Sequence, residues 1–145
     1  MTTNEKYSVL VICTGNSCRS QMAEGLTRHY LGDRVRVESA GVMPSYLNPD
    51  AIDVMKEIGI DISGHEATNV RHFEGDEFDL AITLCGNARD VCGIFPGANE
   101  QFHMGFDDPY GAVGSSGEVL DEFRRVRDEL KEQLIPFIEK RLDRR

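Results

Sequence analysis

The feature that most constrains the fold is an apolar run, Val9 to Ile12, that passes directly into a short glycine-containing loop. The run is continuous and rich in β-branched residues, which is typical of a strand in a parallel sheet covered on both faces. We expect this strand to span Tyr7 to Ile12. Ser20 to Leu31 then predicts a helix, which Gly32 would end. A strand, a loop and a helix in immediate succession favour an α/β fold.

The rest of the chain continues this alternation. Three further segments have the apolar or alternating pattern of strands: 34–39, 78–84 and 100–104. Asn48 has the character of a helix cap and Pro49 that of a first helical residue. We expect the helix that they begin to run to about Ile58, with Gly59 ending it.

The last part of the chain predicts one long helix. Ser115 and Glu118 have the spacing of a capping box at its start. Apolar residues then recur every three or four positions from Val119 to Ile138 and would share one face. Pro136 lies inside this pattern and should kink the helix or end its first part. The charged residues of the helix are most simply a solvated face, among them Arg124, Arg125 and Asp128. The alternation of strands and helices predicts a single α/β domain over residues 1–145 with a mostly parallel sheet.

Composition narrows the classes of function. The chain has 145 residues and a formal net charge of −9. An acidic chain is a poor partner for nucleic acid or for an anionic membrane surface, because both attract Lys and Arg. No segment approaches the roughly 20 apolar residues of a membrane span, and the N-terminal run lacks the flank and length of a signal peptide. We therefore expect a cytoplasmic protein that binds neither nucleic acid nor membranes. Because thiols stay reduced in that compartment, its four cysteines indicate catalysis, redox chemistry or metal binding.

The loop from Cys13 to Arg19 has the composition of an oxyanion site. It follows a strand and precedes a helix, so its amide groups and the helix dipole favour a bound anion. Gly15 and Asn16 tolerate positive φ, which lets successive N–H groups point inward. The planar Arg19 guanidinium fits a tetrahedral oxyanion in bidentate fashion. We predict that the residues holding the oxyanion are Thr14, Gly15, Asn16, Ser17, Cys18 and Arg19.

We predict that Cys13 is the nucleophile of this site. The positive potential of the loop favours its thiolate, which is the reactive form of cysteine. Ser20, at the start of the helix, is placed to donate a hydrogen bond to that sulfur. The alternative, from these residues alone, is that Cys13 is a buried and inert cysteine and Arg19 a surface residue.

Other candidate residues belong near the same edge of the sheet. Cys85 directly follows the apolar segment 78–84, and the strands of a parallel sheet end at one edge, so Cys85 should lie close to Cys13. Cys92 comes seven residues later. Without further context, Cys85 and Cys92 are equally well explained as two small buried hydrophobic residues. Asp108, before Pro109 in a glycine-rich loop, suits a mobile general acid, although Asp-Pro is also an ordinary turn.

The segment Cys13 to Gly25, CTGNSCRSQMAEG, resembles the opening motif of the thioredoxin-coupled arsenate reductases, which share the low-molecular-weight protein tyrosine phosphatase fold. The resemblance covers nearly the whole chain. It includes six further segments: Ser39-Ala40-Gly41, Asn48-Pro49, 60–63 (IDIS), 83–85 (TLC), Asp107-Asp108-Pro109 and 123–129 (FRRVRDE). It implies a central, mostly parallel four-stranded sheet flanked by helices.

The resemblance also implies that the chain reduces arsenate to arsenite through three cysteines, because the spacing of Cys85 and Cys92 matches the family's redox pair. Cys13 would attack arsenate and Cys85 would attack the Cys13 adduct. Cys92 would then form a disulfide with Cys85, which thioredoxin reduces. By the same resemblance Asp108 is the general acid or stabilises the leaving hydroxide. Cys18 matches a family cysteine that lies outside this relay.

A disulfide between Cys85 and Cys92 restricts the conformation of the backbone between them. If residues 85–92 are helical, the Cα atoms of Cys85 and Cys92 lie about 10.5 Å apart. A disulfide needs roughly 4.4–6.8 Å. We therefore expect oxidation to unwind this segment, with Gly86 and Gly93 supplying the backbone freedom.

Two other functions stay open. The first is a low-molecular-weight phosphotyrosine phosphatase that hydrolyses phosphomonoesters through a phosphocysteine at Cys13. Tyr110 favours it slightly, since phosphatases of this fold tend to carry aromatic residues after the Asp-Pro pair. The second is a non-catalytic sensor, which would bind the oxyanion or become oxidised without turnover.

We expect no cofactor and no metal ion. Asn16, Glu24 and Ser39 match positions that bind a potassium ion in some members of the resembled family. The fourth ligand there is an aspartate, and Thr68 stands in its place. The loss of one carboxylate weakens a site for a hard cation, so Asn16 and Glu24 more simply stabilise the loop by hydrogen bonds.

Overall fold

Four parallel strands form the centre of the computed structural model, which describes residues 6–85 and 93–144. They are β1 (Tyr7–Cys13), β2 (Val35–Gly41), β3 (Phe78–Cys85) and β4 (Ala98–Phe106), in the order β2-β1-β3-β4. All three pairings are parallel. The predicted fold class, an α/β fold with a mostly parallel four-stranded sheet, is therefore confirmed. The fourth strand is longer than the segment 100–104 that its alternation indicated.

Three α-helices lie within the described residues: α1 (Arg19–Leu31), α2 (Pro49–Lys56) and α3 (Ser116–Asp143). Single 3-10 turns occur at Val70–Phe73 and Pro109–Gly111. The predicted helix starts are confirmed. The Asn48 side chain accepts a hydrogen bond from the Asp50 amide at 2.8 Å, and Ser115 and Glu118 form a reciprocal capping box.

Two helix predictions differ from the structure. The second helix ends at Lys56, two residues before the expected Ile58, although Gly59, with a φ of 81°, turns the chain out of the helix as predicted. The last helix continues through Pro136 to Asp143, so the proline does not end it. Pro136 is exposed, and on that side water can satisfy the carbonyl that loses its amide partner.

The central strand β1 is buried along its whole length. Val9, Val11 and Cys13 belong to the main core, which α1, α2 and α3 cover. Leu10 and Ile12 belong to a smaller core on the opposite face of the sheet. The continuous apolar run predicted burial on both faces, and the two cores confirm it. No helix in the described parts of the chain is long and apolar enough to cross a membrane.

The charged face of α3 is exposed, as expected, but it also ties the helix to its neighbour. Arg124 donates to the Glu57 carboxylate from Nε, at 3.0 and 3.1 Å, and from Nη2, at 2.7 Å. Arg127 donates to the Val54 carbonyl at 2.8 Å and to Glu57 at 2.9 Å. These hydrogen bonds, first from Arg124 and then from Arg127, lower the pKa of Glu57 to about 2. Glu57 thereby joins the end of α2 to α3.

Glu57→Gln should lower the free energy of unfolding near neutral pH and lose this effect in acid. Because the folded pKa lies below its usual value of 4.5, ionised Glu57 stabilises the fold above that pH, and the contribution disappears as the pH falls toward 2. For ion pairs this exposed we expect about 0.2–1 kcal/mol each. Urea unfolding of both proteins across this pH range checks the prediction, with the exposed Glu139→Gln variant as control. An effect of Glu57→Gln that does not change with pH would contradict it.

Candidate active site

The predicted site residues gather at the carboxyl edge of the sheet. β1 ends at Cys13, and α1 begins at Arg19 after a loop of five residues. In the parallel register Cys13 lies beside Gly41 at the end of β2. Cys85, at the end of β3, lies beside Phe106 at the end of β4. Side chains that are far apart in sequence thus surround one loop, as expected for sites in open α/β sheets.

The carbonyl groups of the loop are bound from outside, by the segment 42–48 that follows β2. Its amides donate to four loop carbonyls: Val42 to Cys13 at 3.3 Å, Met43 to Thr14 at 2.8 Å, Ser45 to Gly15 at 3.0 Å and Asn48 to Ser17 at 3.1 Å. Gln21 binds the carbonyl of Asn16 from the helix side at 3.0 Å. With its carbonyls held this way, the loop keeps its N–H groups for an anion. Asn16 has a φ of 49°, as its residue type predicted.

The N-terminus of α1 adds to this potential. Cys18 occupies the cap position, and no side chain of the described residues caps the helix there. The first amides of a helix have no partner within the helix. They and the helix dipole therefore favour a negative ligand at this end.

Cys13 is a free and buried thiol with two donors beside its sulfur. The Asn16 amide lies 3.3 Å from Sγ and the Ser20 hydroxyl 2.9 Å from it. Both groups can donate to a thiolate, and hydrogen bonds to an ionised acceptor favour its ionised form. The structure thus brings Ser20 to the position that the sequence predicted.

A chain of buried hydrogen bonds determines which way the Ser20 hydroxyl points. The Glu24 carboxylate can only accept, so Ser39 Oγ donates to it. Asn16 Nδ2 then donates both to Ser39 Oγ, at 3.1 Å, and to Ser20 Oγ, at 2.6 Å. The Thr68 amide fixes this orientation by donating to Asn16 Oδ1 at 2.7 Å. Having accepted from Asn16, the Ser20 hydroxyl is left to donate to Cys13.

The residues around Glu24 do not fit a potassium site. The Arg28 guanidinium lies 2.7 Å from the Glu24 carboxylate and neutralises its charge. The Thr68 hydroxyl, which stands in for a carboxylate, donates instead to the Glu66 carbonyl at 3.3 Å. Asn16 and Glu24 stabilise the loop by hydrogen bonds, as the sequence suggested.

His65 supports the same region in its neutral form. Burial lowers the pKa of His65, against an opposing effect of Glu24. Its Nδ1 lies 3.0 Å from Gln21 Oε1, and its Nε2 lies 3.1 Å from an Arg28 nitrogen. The neutral ring can donate to Gln21 and accept from Arg28, which orients the Gln21 amide toward the Asn16 carbonyl.

Arg19 joins the loop to the predicted acid. Its side chain is only 1% exposed and is among the largest fully buried side chains in the described residues. It donates to the carbonyls of Leu84 and Phe106 at 3.4 and 3.2 Å, and it pairs with Asp108 Oδ2 at 3.3 Å. The other Asp108 oxygen accepts from the Tyr110 amide at 3.0 Å. Arg19, the residue expected to bind the oxyanion, therefore holds Asp108, the predicted acid, next to the loop.

The remaining cysteines differ in environment. Cys85 Sγ lies 3.6 Å from the Oγ1 atom of Thr14, the residue that follows Cys13 in the chain. Cys85 is disulfide-bonded. Cys18 is a free thiol whose pKa is raised by burial to about 12, so it stays protonated, which fits a place outside the relay. Cys92 and the predicted unwinding of 85–92 lie outside the described residues.

These groups enclose a cavity of about 240 Å³. Its lining combines the loop, the acid and one residue of the segment after β2: Cys13, Thr14, Gly15, Ser17, Cys18, Arg19, Ser45, Asp108 and Tyr110. A larger cleft of about 900 Å³ opens elsewhere, lined by charges of both signs such as Arg36, Glu38 and Glu77. We take the smaller cavity as the candidate site, because it brings together Cys13, the predicted nucleophile, and Asp108, the predicted acid.

Gly41 is a site residue that sequence reasoning missed as such. A Cβ atom there would lie 2.7 Å from the Thr14 carbonyl oxygen and 2.8 Å from the Asn16 amide nitrogen. Both are backbone atoms of the loop, so a side chain would push the loop out of place. A glycine at the end of a strand was the only signal, and it is a common one.

Comparison with known proteins shows which family the chain belongs to. Residues 8–145 match the family described as low molecular weight phosphotyrosine protein phosphatase. The chain belongs to this family. An arsenate reductase of Halalkalibacterium halodurans is 48% identical over 134 residues, which cover 92% of this chain and 96% of that protein.

Two solved structures extend the comparison. One, described as an arsenate reductase in the phosphate binding state, is 34% identical with a TM-score of 0.78, covering 92% of this chain and 98% of its own. The other is a thioredoxin-dependent arsenate reductase of Corynebacterium glutamicum, which is 28% identical with a TM-score of 0.60. It covers 90% of this chain and 63% of its own. The resemblance seen in the sequence is therefore confirmed.

Ser20→Ala should make Cys13 less reactive. A hydrogen bond to a charged group contributes about 1.5–3 kcal/mol, so we expect alkylation of Cys13 by iodoacetamide near neutral pH to slow about ten- to hundredfold. The matched control is Thr27→Ala, which removes another buried hydroxyl of α1. Equal rates for wild type and Ser20→Ala would show that the hydroxyl does not stabilise the thiolate.

Gly41→Ala should weaken oxyanion binding without unfolding the protein. The added methyl group displaces the backbone at Thr14 and Asn16, and strain of about 1–3 kcal/mol corresponds to about a ten- to hundredfold loss of affinity. Titration with inorganic phosphate measures it. Gly64→Ala is the control, because nothing lies within 4 Å of a Cβ there. Unchanged affinity in Gly41→Ala would refute the close approach.

Proposed function

We propose that this chain is an arsenate reductase that works through a three-cysteine relay and is reset by thioredoxin. The observation that carries the proposal is the position of a second sulfur beside the oxyanion loop. Cys85 Sγ lies 3.6 Å from Thr14 Oγ1, and Thr14 follows the nucleophile Cys13 in the chain. The arsenate reductases among the relatives and solved structures support the same activity.

In the first step the Cys13 thiolate attacks arsenic. The loop amides and Arg19 bind three oxygens of the arsenate and stabilise the charge that builds on them. One hydroxide leaves from arsenic, and a proton from Asp108 converts it to water. The product is a Cys13 sulfur–arsenic adduct in which arsenic is still pentavalent.

In the second step Cys85 supplies the chemistry that a phosphatase lacks. In the reduced enzyme, in which the disulfide of Cys85 is open, the Cys85 thiolate attacks the sulfur of the Cys13 adduct, and a Cys13–Cys85 disulfide forms. The electron pair of the broken sulfur–arsenic bond stays on arsenic, which leaves as trivalent arsenite. Both electrons of the reduction thus come from the two thiols.

The third step frees the nucleophile. The Cys92 thiolate attacks Cys85 Sγ, which releases Cys13 and leaves a Cys85–Cys92 disulfide. The dithiol of thioredoxin then reduces that disulfide, and both electrons come from this partner. The thioredoxin-dependent relative supports this choice of reductant. Such a relay needs a reducing compartment, so the proposal includes a cytoplasmic location.

Hydrolysis of phosphomonoesters is the second candidate, and one observation favours it. Tyr110 lines the cavity and is 57% exposed, so an aromatic surface is available beside the oxyanion site. Arsenate and phosphate have the same shape and charge, and the loop chemistry suits either. A phosphatase, however, has no use for Cys85 or Cys92.

Arsenate-dependent NADPH oxidation, coupled through thioredoxin and its reductase, tests the proposal. Wild type should turn over, whereas Cys85→Ser and Cys92→Ser should each fall to the background rate. Cys18→Ser is the matched control and should keep most of the activity, because its thiol lies outside the relay.

Each rival predicts a different result. Normal turnover of both Cys85→Ser and Cys92→Ser would show that the three-cysteine relay is wrong. Hydrolysis of p-nitrophenyl phosphate without arsenate-dependent oxidation favours the phosphatase. Binding of arsenate with neither reaction favours the sensor.

A further inference from the structure

The turn that carries Asp108 is held on two sides by two different helices. Arg19 of α1 donates to the Phe106 carbonyl at 3.2 Å and to Asp108 at 3.3 Å. Arg125 of α3 donates to the carboxylate of the intervening residue, Asp107, at 3.0 Å. Adjacent side chains of an extended segment point to opposite sides. The exposures agree, since the Asp108 side chain is 35% exposed and that of Asp107 is 72% exposed.

The Arg125 guanidinium is already oriented by other residues of its own helix. Glu122 accepts from Nε at 3.1 Å and from Nη2 at 2.8 Å. Glu129, one turn further along, accepts from Nη1 at 2.9 Å. Because all three nitrogens of this guanidinium already bind glutamates, the side chain loses little further conformational freedom when Nη2 also binds Asp107. The contact with the turn is therefore pre-organised rather than incidental.

The anchor on the α1 side is the one that the reaction disturbs. An oxyanion in the loop needs the Arg19 guanidinium, and it competes there with the Asp108 carboxylate. As Arg19 turns toward the substrate, its hold on Asp108 weakens. Asp107 and Arg125 do not line the cavity, so a bound oxyanion does not compete for their contact.

We propose that Arg125 is a positioning residue for the reaction, because it holds Asp107 and thereby keeps Asp108 aimed at the leaving oxygen. This inference rests on the proposed role of Asp108 as the acid. Arg125 touches neither the substrate nor the reacting atoms. It acts through the backbone of the turn that Asp107 and Asp108 share.

The neighbouring Arg124 provides a closely matched control. It also binds one glutamate through two nitrogens, Glu57 at 3.0 and 2.7 Å, and a second carboxylate, that of Asp121, at 2.7 Å. Its partners tie α3 to α2 and lie away from the acid turn. Arg124→Gln thus removes ion pairs with two carboxylates and Arg125→Gln removes ion pairs with three, at adjacent positions of one helix.

The test is the rate of arsenite formation in a single turnover of the fully reduced enzyme, so that thioredoxin does not limit it. Arg125→Gln should lower this rate about two- to fivefold, which is the range expected for one exposed ion pair. The affinity for inorganic phosphate should not change. Arg124→Gln should keep the wild-type rate even if it lowers the melting temperature as much as Arg125→Gln does.

Two combinations sharpen the result. Asp107→Asn should reproduce the loss, and adding Arg125→Gln to it should cost nothing more. In an Asp108→Asn background, Arg125→Gln should have no further effect, because no acid remains to be positioned. Equal losses for Arg124→Gln and Arg125→Gln, or a further loss in the Asp108→Asn background, overturn the inference.

The experiment separates this inference from the proposed function. If wild type forms no arsenite, the reductase proposal fails. The same variants are then compared in the hydrolysis of p-nitrophenyl phosphate, whose leaving oxygen also needs a proton. A selective loss there in Arg125→Gln still supports the positioning role, and its absence overturns it.

Discussion

The site depends on one buried charge. The Arg19 guanidinium is 1% exposed and touches the ends of β3 and β4 as well as Asp108. A buried charge that loses its partners is strongly destabilising, so these three elements must meet at this point. The loop, Cys85 and Asp108 come from distant parts of the chain, and Arg19 contacts the elements that carry them. The same guanidinium is the group predicted to bind the oxyanion, so one side chain would both hold these elements together and recognise the substrate.

The loop itself is only half of the oxyanion site. Its amides are usable because the segment 42–48 binds its carbonyls from behind and Gln21 binds one more. Gly41 allows that segment to pass within contact of the loop backbone. The site is thus built by two adjacent strand ends, of which one carries the nucleophile and the other orients the backbone around it.

Local sequence patterns predicted the strands, the helix caps and the loop with Cys13, Ser20 and Asn16, because each depends on neighbours within a few residues. They did not reveal the hydrogen-bond chain through Ser39 and Glu24, whose members meet only in the folded chain; the family resemblance alone grouped these two residues with Asn16. The role of Gly41 was hidden for the same reason. Arg125 looked like any solvated residue of an amphipathic helix, since its partner Asp107 lies 18 positions away. Whether Pro136 interrupts α3 depended on its exposure to water.

The uncapped start of α1 links catalysis to stability. The amides there have no capping side chain among the described residues, so a bound oxyanion supplies the missing acceptor. By thermodynamic linkage, any ligand that binds only the folded state raises its stability in proportion to the logarithm of its concentration. Phosphate has the same shape and charge as arsenate, so we expect it to satisfy these amides equally well. Competition of phosphate with arsenate and protection of the fold by phosphate would then measure one binding free energy, so a mutation that weakens phosphate binding should weaken both effects.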